Sequence, residues 1–322
     1  MRYLEVGGVR VSVIGVGAWQ FGSREWGYGE GYAQGEAGRI VQRALDLGVN
    51  LLDTAEVYGF GRSERIVGQA IAGRRDEAFV ATKLAPVFPV PAFVEWRARD
   101  SARRLNVDAI DLYQIHQPNP VVPLRAQMEG MRRLVRSGVV RHVGVSNFSL
   151  SRWQASEAAF GDPVLSNQVR FSLVDRRPLQ DLVPWAAEHD RMIIAYSPLG
   201  QGLLSARYDA SNAPDKGVRA MNPLFLPENL ARAQNLLDTL RDVAKNHDAT
   251  PAQVALAWVI RRPNVVAIPG ASSVEQLEHN VAAADLALSE DEDRRLSEEA
   301  EAFKPVAGPA AAPKLVRRRL PF

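Results

Sequence analysis

A closed eight-stranded (β/α)8 TIM barrel is the fold this chain of 322 residues predicts, and three observations carry that prediction. Eight short apolar runs alternate with stretches of helical periodicity, the pattern of a parallel sheet covered by helices. No shift of composition divides the chain, which argues for one barrel over two domains. The rival doubly wound sheet would carry a glycine-rich phosphate turn, yet Gly15-Val16-Gly17 is followed at the third glycine's position by Gln20.

Tyr3 to Val13 reads as an N-terminal β-hairpin about Gly7-Gly8, placed as a lid or plug. The first barrel strand covers Val13 to Gly17. The stretch from Trp19 to Gly35 is a long loop rich in Gly, Trp and Tyr, of the length that usually serves function. Ile40, Val41, Ala44, Leu45 and Leu47 recur at helical spacing and stop at Gly48, a natural helix end. Strand two spans 49–53, and the next helix follows Ser63 with Ile66, Val67, Ala70 and Ile71 on one face. Strand three is Phe79 to Lys83 with a helix at 91–105, and strand four is Ile110 to His116 with a helix from Pro123. Strand five is His142 to Asn147 with a helix at 150–160, and strand six is Val164 to Val169 with a helix at 179–189. After strand seven, Met192 to Pro198, a Gly- and Pro-containing connection fills 200–227. Helices at 228–246 and 251–262 follow, the second opened by the capping box Thr250-Pro251-Ala252-Gln253. Strand eight is Val265 to Pro269 with a helix at 273–283, and Ser289 starts one extra C-terminal helix with a second capping box. The barrel domain takes residues 1–304; 305–322 is a C-terminal tail, basic at its end, without an assigned role.

With 46% hydrophobic and 24% charged residues the composition is that of an ordinary globular protein. The absence of cysteine excludes disulfides and thiolate zinc sites, suits a reducing cytoplasm, and no metal site is read. The formal charge of +2 is spread along the chain rather than clustered, which argues against a nucleic-acid face. The opening MRYLEVGGVRVSVIGV is broken by glycine and charge, so neither a secretion signal nor a membrane anchor is read. No apolar stripe is left over once the barrel helices are assigned, and the oligomeric state stays open.

The chemistry is expected at the carboxyl ends of strands two, three and four. Asp53 with Tyr58 just beyond it, Lys83 and His116 each close or follow an apolar run, and neighbouring strand ends of a parallel barrel open on one mouth. Taken singly, each has a plain structural alternative: a turn cap, a packed loop ring, a solvated amine, a bonded histidine. Together they make a coherent acid. An ammonium beside a phenol favours the phenolate, so Lys83, held protonated by Asp53, is expected to bring Tyr58 two or three units toward neutrality, worth roughly 3 to 4 kcal/mol. A neutral His116 would hold a substrate carbonyl against the phenol.

These segments resemble the aldo-keto reductase family. DTAEVYG at 53–59, GRSE at 61–64, ATK at 81–83, DLYQIH at 111–116, GVSN at 144–147, SNQV at 166–169, YSPLGQGLL at 196–204 and IPGASSVEQLEHN at 268–280 fall in order, and the likeness runs from the first hairpin to the helix after Ser289. The resemblance implies a (β/α)8 barrel, NADPH across its carboxyl-end face, and Asp53, Tyr58, Lys83 and His116 as a catalytic tetrad, with hydride passing to a carbonyl carbon while Tyr58 protonates the oxygen. It places Ser146, Asn147 and Gln168 on the nicotinamide carboxamide, Tyr196 under the ring, and Ala18 and Trp19 beside the cofactor. Ser197, Pro198, Leu199, Gly200, Gln201 and Leu203 would approach the pyrophosphate, with Arg207 near the phosphates. Gly270, Ser272, Gln276 and Asn280 would receive the adenosine end, Ser272 and Ser273 at a helix start that suits an anion. Where many members carry Lys or Arg for the 2'-phosphate this chain has Gly270, Ser272, Ser273 and Gln276, and His279 stands where a carboxylate commonly faces the adenine; NADPH stays ahead of NADH. Trp26, Tyr28, Phe88 and Gln117, with Trp19, are expected around the substrate, a mainly apolar aldehyde or ketone. The alternatives are an NADPH-binding regulatory subunit, since the resemblance extends to potassium-channel beta subunits, and a Schiff-base enzyme with Lys83 as nucleophile.

Overall fold

The structure, a computed structural model, describes residues 1–22, 31–214 and 217–317. Two short strands, β1 (Tyr3–Val6) and β2 (Val9–Ser12), form the antiparallel hairpin read from Gly7-Gly8. The other eight, β3 (Val16–Gly17), β4 (Leu51–Asp53), β5 (Phe79–Leu84), β6 (Ile110–Ile115), β7 (Val140–Ser146), β8 (Ser166–Arg170), β9 (Met192–Tyr196) and β10 (Val265–Ala267), pair in parallel in sequence order. The sheet closes on itself beside its first strand: Gly15 N donates to Ala267 O at 2.8 Å, Ala267 N to Val13 O at 2.9 Å, and Gly17 N to Pro269 O at 3.0 Å. At Gly17 a Cβ would stand 2.6 Å from the backbone oxygen of Ile268, so this seam admits only glycine without a shift. The first barrel strand is therefore shorter than its apolar run, because Val13 to Gly15 serve the seam. Every residue of β5 and β6 is buried, as strands covered on both faces must be.

The hairpin is a plug at the amino-terminal end of the barrel. Val6 and Val11 cluster with Leu51, Phe79, Leu165 and Met192, at or just before the starts of barrel strands, and with Leu112 inside β6. Tyr3 Oη donates to Gly48 O at 2.8 Å and Gly7 N to Asp190 Oδ2 at 2.9 Å, fastening it to turns that precede β4 and β9. The opposite end is left open.

Outside the barrel lie α1 (Ala37–Asp46), α2 (Arg62–Ala70), α3 (Pro91–Leu105), α4 (Leu124–Arg136), α5 (Leu150–Phe160) and α6 (Leu182–Glu188). After β9 come a tight turn of helix at Gly200–Ser205, then α7 (Gly217–Ala220), α8 (Pro227–Arg232), α9 (Gln234–Asn246), α10 (Pro251–Ile260), α11 (Val274–Ala282), α12 (Glu290–Ala302) and α13 (Ala312–Arg317). Both capping boxes form, at Thr250 and at Ser289. Two expectations change. The connection after β9 is built of short helical turns, because Leu203, Leu204 and Phe225 are apolar and fully buried. The helix read over 228–246 is two helices that meet at Ala233. Past α12, Val306 N donates to Asn229 Oδ1 at 2.8 Å, Ala311 is buried, and Lys314 pairs with Glu228, so the described part of the tail lies along α8. No helix among the described residues is long and apolar enough to cross a membrane.

Candidate active site

The loop after β4 carries the phenol inward. Thr54 and Ser63 hydroxyls share a hydrogen bond of 2.8 Å, and Ser63 Oγ donates to Ala18 O, which joins this loop to the end of β3. Ala18 N in turn donates to Asp53 O at 2.8 Å. In register, Asp53 stands beside Ala81 of β5, and Lys83 beside Gln114 of β6, so the strand ends rise next to one another.

Lys83, fully buried, is the hub. Its Nζ donates to Asp53 Oδ1 at 2.6 Å, to Thr54 O at 2.7 Å and to Tyr58 Oη at 3.2 Å, which uses all three protons of the ammonium. Asp53 is tied from the other side by Gln168 Nε2 at 2.7 Å, with Gln114 Nε2 at 3.5 Å. His116 faces the phenol edge-on, ring centroids 5.8 Å apart, and Trp19 lies 6.3 Å from it on another side. The four side chains at three successive strand ends thus converge.

The electrostatics differ from the sequence expectation in one respect. Burial pushes the Tyr58 phenol above its ordinary value; Lys83 pulls it back only in part, and Asp53 adds to the rise. Tyr58 is therefore not brought toward neutrality, because the ammonium that should do so is already matched by Asp53 in a dry site. Burial opposes the charge of Lys83, but Asp53 and Tyr58 outweigh it and hold the ammonium above its usual range. The phenol keeps its proton across neutral pH, as a proton donor must.

His116 is neutral: burial, then Lys83, pull it down to about 3. The folded state resists protonation there while the unfolded state takes a proton near 6.5, so folding stability falls as pH drops from about 6.5 toward 3. His116→Asn is expected to remove that contribution, on the order of 1 kcal/mol per pH unit after allowing for its partial exposure. Urea unfolding of both proteins at several acidic pH values reads the difference; parallel pH profiles would contradict it.

Next to the tetrad lies a polar platform. Ser146 Oγ donates to Gln168 O at 3.0 Å, Asn147 Nδ2 to Ser146 Oγ at 3.0 Å, and Tyr196 Oη to Asn147 Oδ1 at 2.9 Å. Asn147 and Ser197 both have left-handed backbone, φ 60° and 49°, conformations in which strand ends turn sharply. Beyond them Gly200, Gln201 and Gly202 are successively left-handed, with Gly200 N and Gly202 N bonded within the turn to Ser197 O and Leu199 O.

These groups line one open cleft of about 470 Å³. Of the expected residues, Trp19, Asp53, Tyr58, His116 and Gln117 line one end, Ser146, Asn147, Gln168 and Tyr196 its middle, and Ser197, Pro198, Leu199 and Gln201 one wall. Gly270 and Gln276 line the far end. Lys83, Ala18, Gly200, Leu203 and Asn280 are buried behind these walls, Asn280 Nδ2 donating to Gly270 O at 3.3 Å. Ser272 donates its N–H and hydroxyl to Gln276 Oε1, and Val274 N is bonded by Glu36 Oε1 at 3.0 Å, so the start of α11 already holds a carboxylate. Arg207 and Phe88 are exposed and outside the lining. Trp26 and Tyr28 lie outside the described residues.

Sequence reasoning missed Gln20, Arg170 and Arg219, which also line the cleft. Arg170 was within reach, since it follows Gln168 by two on one strand and shares its face. Arg219 had no signal, sitting in a connection without periodicity; its Nε donates to Gln201 O at 2.8 Å. Large apolar side chains also stand exposed on three loops at this end of the barrel, and of them Val57 lines the cleft. Val57, Phe60, Val87, Phe88, Val90 and Val121, on the loops after β4, β5 and β6, are exposed large hydrophobics. Asn119 Nδ2 bonded to Pro86 O, and Arg97 bonded to Glu56 and to Val87 O, lock those loops together.

The described geometry matches known proteins along its length. The model of the aldo/keto reductase family matches residues 13–301. An "Uncharacterized oxidoreductase" of Mycobacterium tuberculosis is 57% identical over 321 residues, 99% of either chain. Among solved structures, an aldo/keto reductase from Klebsiella pneumoniae in complex with NADP and acetate is 31% identical, covers 92% of this chain and 94% of that one, and superposes with a TM-score of 0.76. A glycerol dehydrogenase from Gluconobacter oxydans is 29% identical over 95% of this chain and 97% of that one, with a TM-score of 0.86. The protein with the Lys83-centred strand ends and the open polar cleft belongs to the aldo/keto reductase family.

Proposed function

We propose that the protein reduces an aldehyde or ketone bearing an apolar group to its alcohol, using NADPH. The observation that carries this reading is Lys83 Nζ bonded at once to Asp53, Thr54 O and the Tyr58 hydroxyl, with neutral His116 facing the same phenol. When bound, the cofactor supplies the hydride. Tyr58 gives its proton to the carbonyl oxygen as negative charge gathers there; the growing alkoxide is far more basic than even a raised phenol, so the transfer runs downhill. Lys83 steadies the phenolate left behind, and Asp53 holds Lys83. His116, neutral and partly buried, donates to the carbonyl oxygen and sets its direction. Such a positioned donor is worth roughly 10² to 10⁴ in rate.

The cleft fits the cofactor in parts. Ser146, Asn147 and Gln168 offer amide and hydroxyl groups to a carboxamide beside the Tyr196 ring, and the left-handed turn with Arg219 suits a pyrophosphate. At the far end Ser272, Ser273 and Gln276 would have to exchange partners, and Glu36 to release Val274 N, for a 2'-phosphate to enter. The related structure from Klebsiella pneumoniae holds NADP, which supports NADPH here. Val57, exposed and lining the cleft beside the Trp19 and Tyr58 rings, supports a substrate with an apolar body, because an apolar lining with a few polar groups suits such a ligand.

Titration with NADPH and NADH by fluorescence, then NADPH oxidation over paired apolar and polar aldehydes and ketones, tests the proposal. Tight NADPH binding with turnover highest on the apolar carbonyls is expected. A clear preference for NADH would overturn the cofactor assignment, and binding without turnover of any carbonyl would overturn the catalytic one.

A further inference from the structure

Arg170 ends β8 and is the register partner of Tyr196 on β9. Both side chains line the cleft, and the guanidinium carbon stands 5.9 Å from the centroid of the Tyr196 ring. That ring is fixed by its hydroxyl, which donates to Asn147. Two further arginines of the same connection are committed elsewhere: Arg176 to Ser297 O and Glu301, and Arg177 to both oxygens of Asp175. Arg170 has no acidic partner among the described residues. Asp53, the one carboxylate lining the described cleft, has one oxygen on Lys83 and the other on Gln168 and Gln114. The middle of the cleft, beside Tyr196, therefore carries a positive charge that the surrounding described side chains do not neutralise.

On the functional reading above, Tyr196, Ser146, Asn147 and Gln168 hold the nicotinamide. The oxidised ring is a cation and the reduced ring is neutral, while the rest of the dinucleotide is the same in both. The Arg170 guanidinium, exposed at the end of β8, thus opposes one redox form and not the other; any attraction of Arg170 for the phosphates is common to both and cancels in the ratio. We propose that Arg170 selects the reduced cofactor by weakening the site's hold on the oxidised one. It is a specificity-determining residue: it favours loading of NADPH, hastens departure of NADP+, and turns the enzyme toward reduction. Repulsion between two unit charges at neighbouring positions of a partly hydrated cleft shifts the affinity ratio about threefold to tenfold at low ionic strength, and less as salt screens them.

The test compares the dissociation constants of NADPH and NADP+ in the wild type, Arg170→Gln and Arg170→Lys, at low and at high salt. Arg170→Gln is expected to bring the two constants closer by about threefold to tenfold at low salt, with the shift largely lost at high salt, and Arg170→Lys to keep the wild-type ratio. An unchanged ratio in Arg170→Gln overturns the inference, and so does an equal loss for both forms, which would make Arg170 a phosphate contact or a structural residue. Failure of the wild type to bind either form would instead refute the functional reading on which the inference rests.

Discussion

Lys83→Met is expected to unfold the protein at a denaturant concentration well below that of the wild type, with a loss of about 3 to 5 kcal/mol, and to abolish turnover. The size follows from the burial of the pair. Lys83 and Asp53 are almost without solvent contact and 2.6 Å apart, so removing the amine strands a carboxylate in a dry interior together with the carbonyl of Thr54. Adding Asp53→Asn to that variant removes the stranded charge while an amide oxygen still accepts from Gln168. The double variant is expected to recover much of the stability and none of the activity. Equilibrium urea unfolding of the single and double variants measures the first part, and NADPH oxidation the second. Equal instability of both variants would show that the ion pair's charge is not the cause.

Tyr58→Phe tests the proposed proton donor apart from the rest of the site. The ring stays between Trp19 and His116, and only the hydroxyl that Lys83 contacts is lost. Carbonyl reduction is expected to fall by roughly 10² to 10⁴, with NADPH affinity and stability close to the wild type. A variant that retains full turnover would remove Tyr58 from the mechanism, and one that loses cofactor binding would place it in the binding site instead.

The barrel was legible because its determinants are local and repetitive. Apolar runs such as Phe79 to Lys83 and Ile110 to His116 stop at a polar residue, and a parallel sheet buried on both faces leaves that signature in one dimension. The convergence of Asp53, Tyr58, Lys83 and His116 was legible for the same reason, since each sits at or just past a strand end. What failed was longer in range. The state of the Tyr58 phenol depends on how dry the site is and on Asp53 already answering Lys83, and neither is written in the spacing of residues. The family resemblance pointed to Arg207 near the phosphates, and the connection after β9 has no period to mark Arg219; the folded turn at Gln201 is what brings Arg219 to the cleft. The helix start at Ser273 looked open in the sequence; Glu36, 238 positions away, fills it. Phe88 was expected around the substrate but stands outside the lining, whereas Val57, which lines the cleft, had no signal because a single apolar residue in a loop has no period.

The central claim is that hydride passes to a substrate carbonyl in the cleft where Tyr58 supplies the proton. The most direct measurement is turnover of an apolar aldehyde with NADPH deuterated on the transferable face of the nicotinamide, followed by analysis of the alcohol. Deuterium on the former carbonyl carbon, formed by the wild type and nearly absent from Tyr58→Phe reactions of the same duration, is the predicted result. Alcohol without the label, or labelled alcohol produced equally by both proteins, would contradict it.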